Sequence, residues 1–102
     1  MSDHGASLVI VVNVDGWTIT GEIDAHSAPS LALAMSQLPD VDGVVVDVTD
    51  VTFMDSSGLR VFVDAARQAI ELNKTLVIAH PRHSFRRVVE ISGLSDYLRL
   101  VD

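Results

Sequence analysis

Cysteine is absent from the 102-residue sequence, which excludes a disulfide framework and any thiolate metal site and fits a cytosolic protein. Basic residues are equally absent from the first half: nothing before Arg60 is a lysine or an arginine, and Lys74 is the sole lysine. The first 59 residues carry a net charge of −9 and the last 43 a net charge of +2, for −7 overall. Such a chain is repelled by nucleic acid and by anionic lipid, so neither is an expected partner. A partner with a basic surface fits the charge, and so does acidity that serves solubility alone. Long hydrophobic runs are missing too. Leu8 to Val12, as long as any, is far short of the ~20 residues a membrane span needs, and no basic segment precedes it as in a secretory signal. The expected location is cytoplasmic.

What is present centres on the stretch from Val44 to Leu72. Val44, Val45, Val46 and Val48 form a β-branched run that suits a strand covered on both faces. A short loop follows, then a helix whose apolar stripe is Leu59, Phe62, Val63, Ala66 and Ile70, with Arg60, Asp64, Arg67, Gln68 and Glu71 on the polar side. Between strand and helix lies Asp55-Ser56-Ser57-Gly58, where free backbone N–H groups gather and Ser or Asp is the preferred cap. Taken alone, the tetrapeptide reads as an N-cap.

The rest of the chain alternates. Residues 1–6 form a polar arm expected to fray. Leu8 to Val14 reads as a strand, Asp15-Gly16 as a tight hairpin turn, and Trp17 to Ile23 as a second strand of alternating polarity. Ser27 is placed to cap a helix running through Leu38 and stopped by Pro39, with Leu31, Met35 and Leu38 inward. After the central helix, Asn73 suits a left-handed helix end. Thr75 to Ala79 reads as a strand, and a third helix from near Ser84 turns Phe85, Val88 and Val89 inward. Gly93-Leu94 suits a Schellman ending, and Tyr97 to Val101 a last strand. Strands separated by helices imply parallel pairing with right-handed crossovers, the first hairpin alone being antiparallel. The expected fold is α/β: one domain over 1–102, with a mostly parallel, mixed sheet of about five strands, an N-terminal hairpin and three main helices. Strand order stays open.

Phe53-Met54-Asp55-Ser56-Ser57-Gly58-Leu59 after a valine-rich strand resembles the signature of the STAS-domain anti-anti-sigma factors, the anti-sigma factor antagonists. Gly21-Glu22-Ile23-Asp24 with Ser27, Ala28 and Leu31 is similar to the second motif of that family, and Ile91-Ser92-Gly93-Leu94 to its third. The resemblance covers nearly the whole chain and implies the STAS fold. It also implies a regulatory binding module without catalytic residues or cofactor. Unphosphorylated, such a protein binds an anti-sigma factor that is also a serine kinase, holding its own ATP, and so frees the sigma factor. Phosphorylated, it lets go, and a serine phosphatase resets it. By the same resemblance Ser56 is the phospho-acceptor. Asp24, Asp55, Ser56, Ser57, Gly58 and Leu59 are the expected partner-binding set, with Asp24 holding the Ser56 hydroxyl or touching the kinase and Gly58 admitting a partner's backbone.

Other readings compete. A stand-alone STAS module of a transporter or a stress-sensing scaffold is the alternative function. A serine hydrolase needs a G-x-S-x-G elbow, which is missing here. An aspartate-phosphorylated receiver needs an acidic pair after the first strand, where Asp15 stands alone. His4, His26, His80 and His83 lack metal-ligand spacing, and Asp47 and Asp50 suggest a metal pair only weakly. Arg82, Arg86 and Arg87 read as a solvated face or a partner contact.

Overall fold

In the computed structural model, which describes residues 8–102, the chain runs β1 (Leu8–Asn13), β2 (Gly16–Ile23), α1 (Ala28–Ala34), β3 (Gly43–Met54), α2 (Ser56–Glu71), β4 (Thr75–Ala79), α3 (His83–Ser92) and β5 (Arg99–Val101). The arm expected at residues 1–6 lies outside the described residues. The sheet order is β1-β2-β3-β4-β5, with β1–β2 antiparallel and every later pair parallel. This is the expected mixed sheet, and its strand order is the sequential one.

Sequential order has a consequence for the layers. Each parallel strand is laid beside the last in the same direction, so right-handed crossovers carry all three helices over one face. Trp17, Val46, Ile78 and Leu100 lie in register across β2 to β5, and the first three of them are buried under the helices. The opposite face is open: Val9 is 53% exposed and Val11 51%. The expectation that β3 is covered on both faces is therefore wrong. Its burial alternates, with Val44, Val46 and Val48 inward and Val45 and Asp47 half-exposed. A run of valines records β-branching, which suits any pleated strand, and says nothing of a second covering layer.

Several boundaries and one side-chain placement also differ from expectation, among them β5, which begins at Arg99 and not at Tyr97. β3 does not stop at the valines but continues to Met54, because irregular pairing with β2 near Thr18/Thr20 and Gly21/Glu22 shifts its phase and brings Val51 and Met54 inward. α1 ends at Ala34 with Met35 as cap, well before Leu38. There the Ser36 hydroxyl takes the Leu33 carbonyl (2.7 Å), and Pro39 disfavours helical backbone at Leu38. The hairpin turn is Val14-Asp15, since Gly16 already pairs with Asn13 as the first residue of β2. Gly16 is needed there for another reason: a Cβ would run into the Val45 carbonyl, and its φ is +156°. Finally, Ile70 is 65% exposed, and Ala69 takes the inward place in the last turn of α2. Helix ends otherwise follow the sequence, with Asn73 (φ 58°) and Gly93 (φ 77°) in the left-handed region.

Candidate functional site

β2 and β3 are parallel neighbours that end together, Ile23 opposite Met54, and the Asp55 N–H donates to the Ile23 carbonyl at 3.1 Å. Asp24 and Asp55 therefore leave the sheet side by side at its carboxyl edge, where open α/β sheets place their sites. Only Asp55 separates β3 from α2. It is the N-cap, in extended conformation, and its carboxylate accepts from the N–H groups of Ser57 (2.8 Å) and Gly58 (3.4 Å). Such a cap contributes about 1 kcal/mol to helix stability.

With the cap supplied by Asp55, neither serine is needed for it. Ser56, the first residue of α2, is exposed, and its hydroxyl has no hydrogen bond to another of the described residues. Ser57 is half-buried. Gly58 and Leu59 face the other way. Leu59 is 4% exposed and belongs to the core. Gly58 is buried, and a Cβ there would collide with Ile23 Cγ2 and come within 2.9 Å of Met54 Cγ. The glycine lets the first turn of α2 settle on the ends of β2 and β3, not a partner's backbone onto the helix. Gly58 is thus spent on packing, because the strand ends already occupy its side of the helix, whereas Leu59, though largely buried, still lines a groove beside Ser56. Gly58→Ala should destabilise the fold by about 1–3 kcal/mol by overpacking, despite a helix-propensity gain of up to about 1 kcal/mol. A urea melt checks this, and an unchanged midpoint would show that the contact relaxes freely.

Asp24 is also engaged differently from expectation. Its Oδ1 accepts from the N–H groups of His26 (3.0 Å) and Ser27 (2.9 Å), and the Ser27 hydroxyl lies 3.2 Å away. It does not hold the Ser56 hydroxyl. The hydrogen bond from the Ser27 N–H is the main reason its carboxyl sits below the ordinary value, against a smaller opposing effect of desolvation. The Ser27 hydroxyl, the His26 N–H and the His26 charge lower it further. Since the carboxylate is the bound form, this loop is fully supported at neutral pH and loosens only as pH falls through the lowered value. Ser27, expected as a cap, makes no side-chain cap bond. Buried at 6% exposure, its hydroxyl reaches the Glu22 carbonyl (3.0 Å) and receives the Asp24 N–H (3.0 Å), which ties the end of β2 to the start of α1.

Two grooves flank Ser56. One lies between α1 and α2 over Ala28, Pro29, Ala32 and Val61, and the other between α2 and the end of α3 over Leu59, Val63, Ser92 and Leu94. Ser56 and Arg60 stand at the rim of both. Sequence reasoning had placed Arg60 on a polar face and no more. Asp47, Asp50, Arg82 and Arg86 are engaged within the fold, while Arg87 is exposed. Asp47 accepts from the Thr49 N–H (2.9 Å) and hydroxyl (2.6 Å), and this holds its carboxyl below the ordinary value. Arg82 donates to the Thr49 carbonyl (2.7 Å) and pairs with Asp50 (3.3 Å), clamping the start of α3 to β3, while Arg86 pairs with Asp102.

The protein-family model described as "Mlab, STAS domain" matches residues 6–102. The anti-sigma-B factor antagonist of Listeria monocytogenes is 37% identical over 84 residues, covering 80% of this chain and 74% of that protein. Among solved structures, an anti-sigma factor antagonist from Mycobacterium paratuberculosis superposes with a TM-score of 0.74 at 19% identity, covering 99% of this chain and 90% of that one. The Bacillus cell fate determinant SpoIIAA in its phosphorylated form gives a TM-score of 0.65 at 20% identity, over 93% and 91% of the two chains. At such identities the two structures speak for the fold. No described helix is long and apolar enough to cross a membrane.

Proposed function

This chain belongs to the STAS-domain family, and on that premise we propose that it is an anti-sigma factor antagonist switched by phosphorylation of Ser56. Its partner is an anti-sigma factor, which the unmodified protein binds and thereby draws away from a sigma factor. The partner carries the serine kinase activity and the ATP, and a serine phosphatase reverses the modification. The protein itself acts as substrate and competitor, not as catalyst. One observation carries this reading: Ser56 stands exposed at the start of α2 with its hydroxyl bonded to none of the described residues, because Asp55 has taken over the cap. A serine that held the cap itself would have to give up its hydrogen bond to be modified. The likeness to the Listeria antagonist supports the same role. Asp24, Asp55, Ser56 and Ser57 make up the contact surface, and the acidic half of the chain suits a partner with a basic face.

Incubation with candidate anti-sigma kinases and ATP, followed by phosphosite mapping, tests the proposal. A single phosphate on Ser56 is expected, and none on Ser56→Ala. Phosphate on Ser57, or stoichiometric labelling of Ser56→Ala, would overturn the assignment.

A further inference from the structure

We propose that Arg60 is the intramolecular partner of the Ser56 phosphate, a latch that closes only on the modified protein. This rests on the reading that Ser56 is the modified residue and names what receives the phosphate once it is there. Residues four apart on a helix are neighbours on its surface, and an anion one turn N-terminal to a cation is the favourable order. Ser56 and Arg60 have that spacing on α2, both are exposed, and both rim the same two grooves.

Arg60 is available for the task. It forms no salt bridge with any described residue, although Asp64 follows it by one turn. The cation-then-anion order of Arg60 and Asp64 is the less favourable one, which agrees with the missing pair. Among the described residues no other arginine or lysine stands within a turn of Ser56, although Arg67 lines the far end of one groove. The α1 wall of one groove is alanine and proline, and the α3 wall of the other is Ser92 and Leu94, so neither wall brings a charge to the phosphate. Arg67 stands three turns from Ser56 with its guanidinium over the Tyr97 ring, 5.8 Å from the centroid. The other charged groups on this side of the described residues are Asp55 beside Ser56, Asp24 and His26 on the neighbouring loop, where the His26 charge is turned to Asp24, and Asp64 farther along both grooves. A phosphate with a charge of roughly −1.5 to −2 therefore finds one nearby guanidinium, whose planar fork accommodates two of its oxygens.

Pairing draws the guanidinium toward Ser56 and away from Asp64. The rim of both grooves then changes together, and the modified protein presents a phosphate–guanidinium pair that keeps a net negative charge of about −0.5 to −1 where the unmodified one presents a free cation.

The test uses full-length protein with phosphoserine installed at position 56 during translation, so that it does not depend on any kinase. A failure here is thereby distinct from failure of the phosphosite itself, which the mapping experiment decides. The pH titration of the phosphate is followed by phosphorus NMR in otherwise wild-type protein, Arg60→Gln and Arg67→Gln. The midpoint should lie lower by roughly 0.15–0.4 pH unit with Arg60 present than in Arg60→Gln. Arg67→Gln, which removes the same charge out of reach, should leave it where it is. The Nε–H resonance of Arg60 in the unsubstituted phosphoprotein should move with the same midpoint, a readout that needs no variant to fold. Equal midpoints in all three proteins, equal shifts from both substitutions, or an Arg60 resonance blind to the titration would each overturn the latch.

Discussion

Phe62→Ala is expected to cost about 3–5 kcal/mol of folding stability, a large part of what a domain of this size has. Phe62 is fully buried in the middle of α2 and meets the Phe85 ring of α3 edge to face, with centroids 5.3 Å apart and planes at 76°. Truncation leaves a cavity at the junction of two helices and the sheet and removes an aromatic contact worth about 0.5–1.5 kcal/mol beyond its area. The neighbours are poorly placed to fill it. Ala65, Ala66 and Ala69 line the same face of α2 and have no length to offer, and the sheet beneath is pinned by its ladders. Arg67→Ala, on the outer face, should change stability by less than about 0.5 kcal/mol. Urea denaturation of the two variants decides the matter, and equal midpoints would mean that α2 does not bury the face the structure assigns it.

Elements set by local chemistry were legible in the sequence. The alternation of strands and helices, the inward Phe62 and Phe85, and the left-handed Asn73 and Gly93 all follow from patterns a few residues long. What was not legible depends on the neighbouring strand. Val51 and Met54 are inward only because β3 slips its phase against β2, and no periodicity within β3 announces that slip. Ile70 fits the helical stripe and yet lies at its exposed edge, because the covering sheet and α3 decide which part of an amphipathic arc is used. The open face of the sheet follows from strand order, which pattern alone leaves undetermined.

The site divides in the same way. A cap within Asp55-Ser56-Ser57-Gly58 was readable from strand–loop–helix order, but the meeting of Asp24 with the Ser56 turn was not, since it requires β2 and β3 to be neighbours. That Gly58 serves the packing of α2 on Ile23 and Met54 was hidden, since a glycine at a helix start reads equally well as room for a visitor. Asp24 looked free to hold Ser56, but His26 and Ser27 stand two and three residues on and take its carboxylate first. An Asx turn of this kind is written in the sequence as Asp-x-x-Ser, and it is the signal that was there to be used.

Ser56→Asp should weaken binding to the anti-sigma factor while leaving the thermal melt nearly unchanged, and phosphorylation should weaken it further. Two effects of an anion at this position have different sizes. In the isolated protein the start of α2 tolerates negative charge, favouring it by about 0.3–1 kcal/mol, so the fold loses little. Ser56 is exposed, and nothing in the core has to move to admit the new group. In the complex the same anion is covered by the partner beside Asp55, a carboxylate whose one oxygen already serves Ser57 and Gly58. Desolvating two adjacent anions opposes association, and a tenfold loss of affinity needs only about 1.4 kcal/mol. Aspartate carries one charge against the roughly −1.5 to −2 of phosphate, so it should reproduce the direction and part of the size. Ser56→Ala should bind at least moderately well and should not be released when ATP is added, because it offers no hydroxyl to modify. Calorimetric titration of wild type, Ser56→Ala, Ser56→Asp and the enzymatically phosphorylated protein against the anti-sigma factor separates the cases. Equal affinity across all four would reduce Ser56 to a surface residue of α2 and remove the switch.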